Sequence, residues 1–174
     1  MTVHSPTGSG VISRPKVIGV GNRCRCDDGA GFAVIERIRA RRPHLCVVEA
    51  SGEGASLMEL WKPGDEVVLV DAVRSGSAPG RIHRLDALRE RIPSGFFHYS
   101  THAFSVAEAI EMARALDLLP SRLIVYGIEG ANFSAGTEMS PDVTNAVETL
   151  VDRILAEFED QANTVIESTE VSHA

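Results

Sequence analysis

The sequence lacks several features that would place it in a specialised class of protein. No apolar run approaches the roughly 18 residues that a membrane-spanning helix needs, and the first residues, MTVHSPTGSGVISRPK, contain no apolar segment of signal-peptide length. The three cysteines, Cys24, Cys26 and Cys46, are too few and too irregularly spaced for a disulfide framework or a zinc knuckle. We therefore expect a soluble, cytoplasmic protein with reduced thiols.

An excess of basic residues is also missing. The 24 acidic side chains outnumber the 17 Lys and Arg residues, which gives a formal net charge of -7. This balance offers no positive surface for a nucleic-acid backbone or an anionic membrane. With 174 residues, the chain matches one domain with a single substantial core, and we expect a monomer.

The two ends differ in composition from the rest of the chain. Residues 1–14 are rich in Ser, Gly, Thr and Pro, and the segment after residue 159 is polar. We expect a disordered leader over 1–14, one α/β domain over 15–159 and a flexible tail over 160–174. Between the ends, short apolar runs alternate with longer segments of helical period, which predicts an α/β fold.

The apolar runs define the expected elements. The predicted strands are KVIGV, LCVVEA, DEVVLVDAV, RIHRLDA and RLIVYGIE, and the predicted helices are DGAGFAVIERIRAR, GASLMELW, AFSVAEAIEMARALDL and SPDVTNAVETLVDRILAEF. We expect the third strand to be central because it is the most apolar, and the third helix to be the longest amphipathic one. Asp28 and Ser140 stand where helix N-caps belong, with Pro141 at the first helical position. The pattern predicts a three-layer α/β/α sandwich of about five mostly parallel strands, with RIHRLDA as one antiparallel edge strand.

Three polar residues follow or end predicted elements at what should be one edge of the sheet. Asp28 follows the first strand, Asp71 ends the third, and His102 lies in the loop before the third helix. Ligands of open α/β sheets gather outside the carboxyl ends of the strands, where such loops converge. Two carboxylates and one imidazole, with positions left open for water or substrate, suit a divalent metal ion.

Each of these residues also has a simpler interpretation. Asp28 alone is explained by helix capping, and His102 alone by a surface position at a helix start. Asp71 is harder to explain structurally, because a buried carboxylate costs several kcal/mol unless something pairs with it. A serine hydrolase is disfavoured because no G-x-S-x-G motif occurs, and Cys24 and Cys26 have no evident general base nearby.

A nucleotide-binding domain is an alternative interpretation of the first loop, GVGNRCRCDDGAGF. Gly19 and Gly21 begin a dinucleotide fingerprint, and Glu49 ends the second strand where a ribose-binding acid would stand. The third glycine is missing, because Cys24 occupies its place, and two aspartates in the loop would repel a phosphate.

Five segments in order resemble the hydrogenase maturation proteases over residues 15 to 157: GVGNRCRCDDGAG, VVLVDAVRSGSAPG, STHAFSVAEAI, YGIEG and SPDVTNAV. The resemblance implies an endopeptidase that removes a C-terminal extension from the large-subunit precursor of a nickel-iron hydrogenase after nickel insertion. It also implies that Asp28, Asp71 and His102 are catalytic and bind the metal. We expect nickel to arrive with the precursor, and other divalent metals to substitute in vitro.

The resemblance assigns further residues to the surroundings of the site. Asn22 belongs to the same motif as Asp28, and Asp27 is expected to orient the loop by accepting hydrogen bonds. After the second strand the family often has an acid followed by two glycines, whereas this chain reads Ser51, Gly52, Glu53, Gly54. We assign Gly52, Glu53 and Gly54 to a substrate-contacting loop.

The sequence does not determine how the peptide bond of the precursor is cleaved. The metal either activates an attacking water and the scissile carbonyl or serves only for recognition, and Glu53 and Asp27 are both candidates for a general base. A non-catalytic, nickel-sensing chaperone for the large subunit is a further alternative to the protease.

Overall fold

The computed structural model describes residues 15–93, 95–97 and 105–171, with side chains as far as residue 159. Within these residues, five strands form one sheet: β1 (Lys16–Val20), β2 (Cys46–Ala50), β3 (Glu66–Val73), β4 (Ile82–Asp86) and β5 (Arg122–Glu129). The α-helices described are α1 (Ala30–Arg41), α2 (Gly54–Met58), α3 (Val106–Ala115) and α4 (Pro141–Val171).

The strands lie in the order β2-β1-β3-β5-β4, so the apolar strand β3 is central as predicted. The pairs β1·β2, β1·β3 and β3·β5 are parallel, and β4 pairs antiparallel with β5 at the edge. The carboxyl ends of four parallel strands therefore meet at the same edge of the sheet. Asp71 pairs with Gly127, and β3 continues to Val73 instead of ending at Asp71.

Both faces of the sheet are covered by helices, which confirms the three-layer sandwich. Alternate side chains of β3 enter opposite cores: Val68 and Val70 pack with α1 and α4, and Val67 and Leu69 pack with α2 and α3. All four are 0–1% exposed. Fully burying an aliphatic side chain of this size contributes about 1.5–3 kcal/mol, so this strand is a main source of the hydrophobic stabilisation.

The helix predictions need two corrections. The longest helix is α4, with 31 residues, and not α3, with 10, because the periodic pattern of AFSVAEAIEMARALDL ends once Leu116 and Leu118 become exposed. Asp28 is not an N-cap: it lies inside a short 3-10 helix, Cys26–Gly29, and α1 begins after Gly29 without a side-chain cap. Ser140 does precede α4 and Pro141 is the first residue of that helix, as predicted, while the hydroxyl of Ser140 donates to Asp27.

The terminal segments of the domain prediction are only partly described. Residues 1–14 lie outside the described residues. The helix α4 continues past Phe158 to Val171, so most of the predicted tail is helical. The boundaries 15–159 stay a prediction. In the described part of the chain, no helix has both the length and the apolar character needed to cross a bilayer.

Candidate active site at the carboxyl edge of the sheet

The loop between β1 and α1 folds back on itself at Gly21. This glycine has φ +148, and a Cβ atom there would lie 1.9 Å from the carbonyl oxygen of Asp28. The main-chain nitrogen of Asn22 donates to that same oxygen at 3.0 Å, and the Asn22 side chain accepts from the nitrogen of Cys24 at 2.9 Å. Asn22 thus shapes the loop that presents Asp28.

Asp27 is fully buried and joins this loop to the loop between β5 and α4. Its Oδ2 accepts hydrogen bonds from the main-chain nitrogens of Ala131 and Asn132 and from the hydroxyl of Ser140, each at 2.8 Å. Its Oδ1 accepts from the nitrogen of Ser140 at 2.6 Å. All four partners are donors, which is what an acceptor-only carboxylate requires. The side chain of Asp27 therefore holds two loops together and faces away from solvent.

Asp28 and Asp71 bring two carboxyl groups into electrostatic contact at this edge. Burial raises the pKa of Asp28 from its ordinary value, and the guanidinium of Arg25, with Nη1 4.0 Å from Oδ2, opposes the rise. Asp71 is 7% exposed, and burial raises its pKa well above the ordinary value. The charge of Asp28 raises it further, while a hydrogen bond from the nitrogen of Ala72 opposes this at 2.8 Å.

A pair of this kind favours either a proton retained on Asp71 or a bound cation. Two nearby carboxylates cannot both ionise without cost, so Asp71 keeps its proton to a higher pH than an exposed aspartate does. A divalent cation would remove that cost by replacing the proton. Within the described ranges, no group of three His, Cys, Asp or Glu side chains is arranged to hold a metal ion. The third residue predicted for the site, His102, lies outside the described residues.

The described segments before and after residues 98–104, which include His102, are held by side-chain contacts. The ring of Phe96 packs edge-on against Phe97 and against His83, with both centroid distances at 5.2 Å. On the other side, Glu108 accepts hydrogen bonds from the main-chain nitrogen of Ser105, at 3.0 Å, and from its hydroxyl, forming a capping box at the start of α3. Phe96, before residues 98–104, and Ser105, after them, are therefore both held in place by side-chain contacts.

The loop after β2 has a structural explanation of its own. Glu53 is the N-cap of α2: its carboxylate accepts from the nitrogens of Ala55, at 3.1 Å, and Ser56, at 2.9 Å. Gly52 and Gly54 are buried beside it. Contact between this loop and a substrate stays a prediction.

Glu129 is a buried acid to which the sequence interpretation gave no role. It ends β5 and is 1% exposed. Its carboxylate accepts from the hydroxyl of Ser75 at 2.7 Å and the nitrogen of Gly76 at 2.9 Å, and it lies 3.2 Å from Nε2 of His83. Like Asp71, Glu129 is an acidic residue within an otherwise apolar strand. This pattern in the segment YGIEG could have indicated its importance from the sequence alone. It fixes the loop that follows β3.

The cysteines are not grouped with these acids by any metal-like arrangement in the described residues. Cys24 and Cys46 are exposed, and Cys26 is buried. Cys46 lies on the edge strand β2, and its side chain is accessible.

The fold and its acidic edge define a three-layer α/β domain with a carboxylate pair at the carboxyl ends of the strands. A family model described as hydrogenase maturation protease matches residues 33–157. The chain belongs to the hydrogenase maturation protease family, and so to a family of hydrolytic enzymes. The matched range includes positions 71 and 102 and begins after the loop that carries Asp27 and Asp28.

Two relatives agree with this family. The chain is 26% identical over 145 residues to the hydrogenase 2 maturation protease of Escherichia coli, covering 80% of this chain and 87% of the relative. It is 24% identical over 155 residues to the hydrogenase expression/formation protein HupD of Bradyrhizobium diazoefficiens, covering 84% and 80%.

Two solved structures share the fold. An endopeptidase from Escherichia coli has a TM-score of 0.72 at 21% identity and covers 85% of this chain and 93% of its own. The NiFe hydrogenase maturation protease HybD from Thermococcus kodakarensis has a TM-score of 0.64 at 24% identity and covers 83% and 97%. At these sequence identities, the similarity shows a shared fold and nothing more.

Proposed function

We propose that the protein is an endopeptidase that removes the C-terminal extension of a nickel-iron hydrogenase large-subunit precursor after nickel insertion. In this proposal the nickel of the precursor docks onto Asp28, Asp71 and His102. The observation that supports it best is the electrostatic pairing of Asp28 with the buried Asp71 at the carboxyl edge of the sheet. Membership of the hydrogenase maturation protease family agrees with this substrate class.

The residues of the site fit a metal ion delivered by the substrate. Two carboxylates and one imidazole form an incomplete ligand set of modest affinity, whereas cysteine thiolates of a precursor hold nickel more firmly. An ion bound there would polarise the scissile carbonyl and lower the pKa of an attacking water. Asp28 and Asp71 would hold the ion as carboxylates, and the proton that Asp71 keeps without the ion would pass to solvent.

The two acids considered as general base are already engaged in other contacts. Both oxygens of Asp27 accept hydrogen bonds inside the protein, and Asp27 has no exposed surface. The oxygens of Glu53 cap α2. We therefore assign Asp27 to the support of the site and give neither residue a proton-transfer step.

Docking through the nickel also explains how an enzyme of this kind would recognise a finished precursor. A nickel-loaded precursor gains Asp28, Asp71 and His102 as additional ligands, and an empty one does not. Each ~1.4 kcal/mol of this difference separates the two forms by a factor of about ten in affinity. No separate nickel sensor is required.

The direct test is incubation of the purified protein with nickel-loaded and nickel-free precursor, without free metal in the buffer, followed by mass spectrometry of the large subunit. We expect loss of a C-terminal peptide from the loaded form only. Equal cleavage of both forms would remove the nickel requirement, and no cleavage of either would favour the chaperone alternative.

Substitutions test the three residues. We expect Asp28→Ala, Asp71→Ala and His102→Ala each to abolish processing while circular dichroism shows a folded protein. The matched control is Asp117→Asn, because Asp117 is exposed and its φ of 56 suits asparagine. Normal cleavage by a folded Asp71→Ala protein would contradict the site.

The nucleotide-binding alternative is less consistent with the structure. Glu49, the candidate ribose-binding acid, pairs with the guanidinium of Arg23 at 2.8 Å. The start of α1, where a phosphate would bind, follows Asp27 and Asp28. Calorimetry with NAD and ATP separates the two proposals. Our proposal further places the protein in the cytoplasm as a monomer, which light scattering of the purified chain can check.

A further inference from the structure

A polar cleft lies between the β1–α1 loop and the loop that joins β5 to α4. Its volume is about 520 Å³, and its lining includes Cys26, Asn132, Ser134, Thr137, Glu138 and Ser140. A volume of this size falls within the range of about 300–1,000 Å³ typical of ligand sites. The wall formed by Cys26 belongs to the same 3-10 helix as Asp28. The cleft therefore adjoins the segment that carries the candidate active site.

Main-chain hydrogen bonds hold the two walls of this cleft at a fixed separation. The nitrogen of Cys26 donates to the oxygen of Gly136, and the nitrogen of Gly136 donates to the oxygen of Cys24, both at 2.9 Å. Gly136 has φ +153, and a Cβ atom there would lie 2.8 Å from Sγ of Cys26. The buried carboxylate of Asp27 adds the contacts to residues 131, 132 and 140. The cleft is thus formed before any ligand arrives, which lowers the cost of binding.

The lining of the cleft indicates what kind of molecule it accepts. Hydroxyl, amide and main-chain groups predominate, and Glu138, which is exposed, is the one charged side chain in the described lining. Hydrogen-bonding walls of this kind suit the main chain of an extended polypeptide. A single carboxylate without a neighbouring cation in the lining favours a basic side chain on that polypeptide.

We propose that this cleft is a substrate subsite that binds an extended segment of the precursor next to the scissile bond, with a basic side chain of that segment facing Glu138. The inference rests on the proposed function, because it takes the precursor as the ligand. It adds a second point of attachment beside the metal, and it makes the loop from 131 to 140 a determinant of substrate specificity.

The first test fills the cleft with a large side chain. Ala135 is exposed and lines the cleft, and Ala115 is an exposed alanine at the end of α3, outside it. We expect Ala135→Trp to raise the KM for nickel-loaded precursor by about tenfold with kcat little changed, as loss of uniform binding predicts. The matched control Ala115→Trp should behave as the unmodified protein does. Equal KM values for the two tryptophan variants would overturn the inference.

The second test measures binding without turnover. In a Cys24→Ser, Cys46→Ser background, Ala135→Cys places an exposed thiol in the cleft while Cys26 stays buried, and we expect bound precursor to slow alkylation at position 135. A precursor that lacks the segment around the scissile bond should give no protection. Protection without cleavage would refute the protease and keep the subsite, whereas cleavage without protection would refute the subsite alone.

The charge of the cleft is tested separately. Glu138→Gln should weaken precursor binding by about threefold at low ionic strength, and the difference should vanish at high salt, where surface charges are screened. Glu59→Gln, an exposed acid on the chain after α2, is the control. An unchanged salt dependence in Glu138→Gln would remove the basic side chain from the proposed ligand.

Discussion

Replacement of Asp27 should separate the support of the site from its chemistry. Asp27→Ala removes four hydrogen bonds and leaves four donors without their acceptor. At about 1–1.5 kcal/mol each, the loss is roughly 4–6 kcal/mol. Small domains are stable by about 5–15 kcal/mol in total, so Asp27→Ala should be close to unfolding at ordinary temperature.

Smaller substitutions give a graded series. Asp27→Asn keeps the shape of the side chain, but its amide NH₂ group must face a hydrogen-bond donor instead of accepting from it. The least damaging orientation places the NH₂ group at the position of Oδ1, where it faces one donor, the nitrogen of Ser140. We expect a cost of about 2–3 kcal/mol. Ser140→Ala removes only the hydroxyl bond and should cost about 1–1.5 kcal/mol. Asp28→Asn should change stability by less than about 1 kcal/mol, and in the stabilising direction at neutral pH, because burial raises the pKa of Asp28.

Urea unfolding followed by circular dichroism measures all four variants, with Asp117→Asn as the control. The free energies of unfolding should fall in the order Asp28→Asn, Ser140→Ala, Asp27→Asn, Asp27→Ala. If Asp27→Asn were as stable as the unmodified protein while Asp28→Asn was strongly destabilised, this prediction would be refuted. Asp28, and not Asp27, would then be the acid that supports the fold.

Three further predictions concern the remaining acids and the thiols. Because the pKa of Asp71 is raised in the folded protein, its ionisation opposes folding above that pKa, by about 1.4 kcal/mol for each unit of the rise. Asp71→Asn should thus be more stable than the unmodified protein at neutral pH. That advantage should shrink as the pH falls through the native pKa and disappear below about 3.9, the pKa of an unperturbed aspartate; a constant advantage at every pH would contradict the burial effect. Replacing all three cysteines by serine should leave cleavage intact and lower the stability by about 1 kcal/mol, chiefly through the buried Cys26; a folded triple variant without activity would revive a thiol mechanism. Glu129→Ala should cost about 3 kcal/mol through its lost contacts to Ser75, Gly76 and His83, and limited proteolysis should then cut between residues 74 and 80. Resistance there equal to that of the unmodified protein would show that Glu129 does not hold this loop.

The layered fold was predictable because its signals are local. Short apolar runs and a helical period fix which segments are strands and helices, and β3 was recognisable as central from its apolar side chains alone. The length of α4 was not predictable, because the polar residues after Phe158 give no apolar face for a core. The sequence places the N-cap of α1 at Asp28, whereas a 3-10 helix over Cys26–Gly29 moves it to Gly29, and this shift by one residue has no signal in the sequence.

The candidate site was predictable only in part, for a different reason. Asp71 stood out because an acid inside an apolar strand must be paired, and the same reasoning applies to Glu129. The hydrogen-bond donors to Asp27 lie 104 to 113 residues further along the chain. No local sequence pattern predicts contacts over that distance. The cleft beside Cys26 depends on the same long-range contacts, so no local sequence pattern predicts it.

The position of β5 in the sheet has a consequence for the synthesis of the chain. Strand β4 precedes β5 in the sequence, but among the described strands its one neighbour is β5, which also covers the second edge of β3. While the ribosome is still making residues before Arg122, the most apolar strand has an open edge that can pair with another chain. The nascent protein is therefore most prone to aggregate late in its translation, and a brief pause before β5 should increase that risk more than a pause anywhere after it.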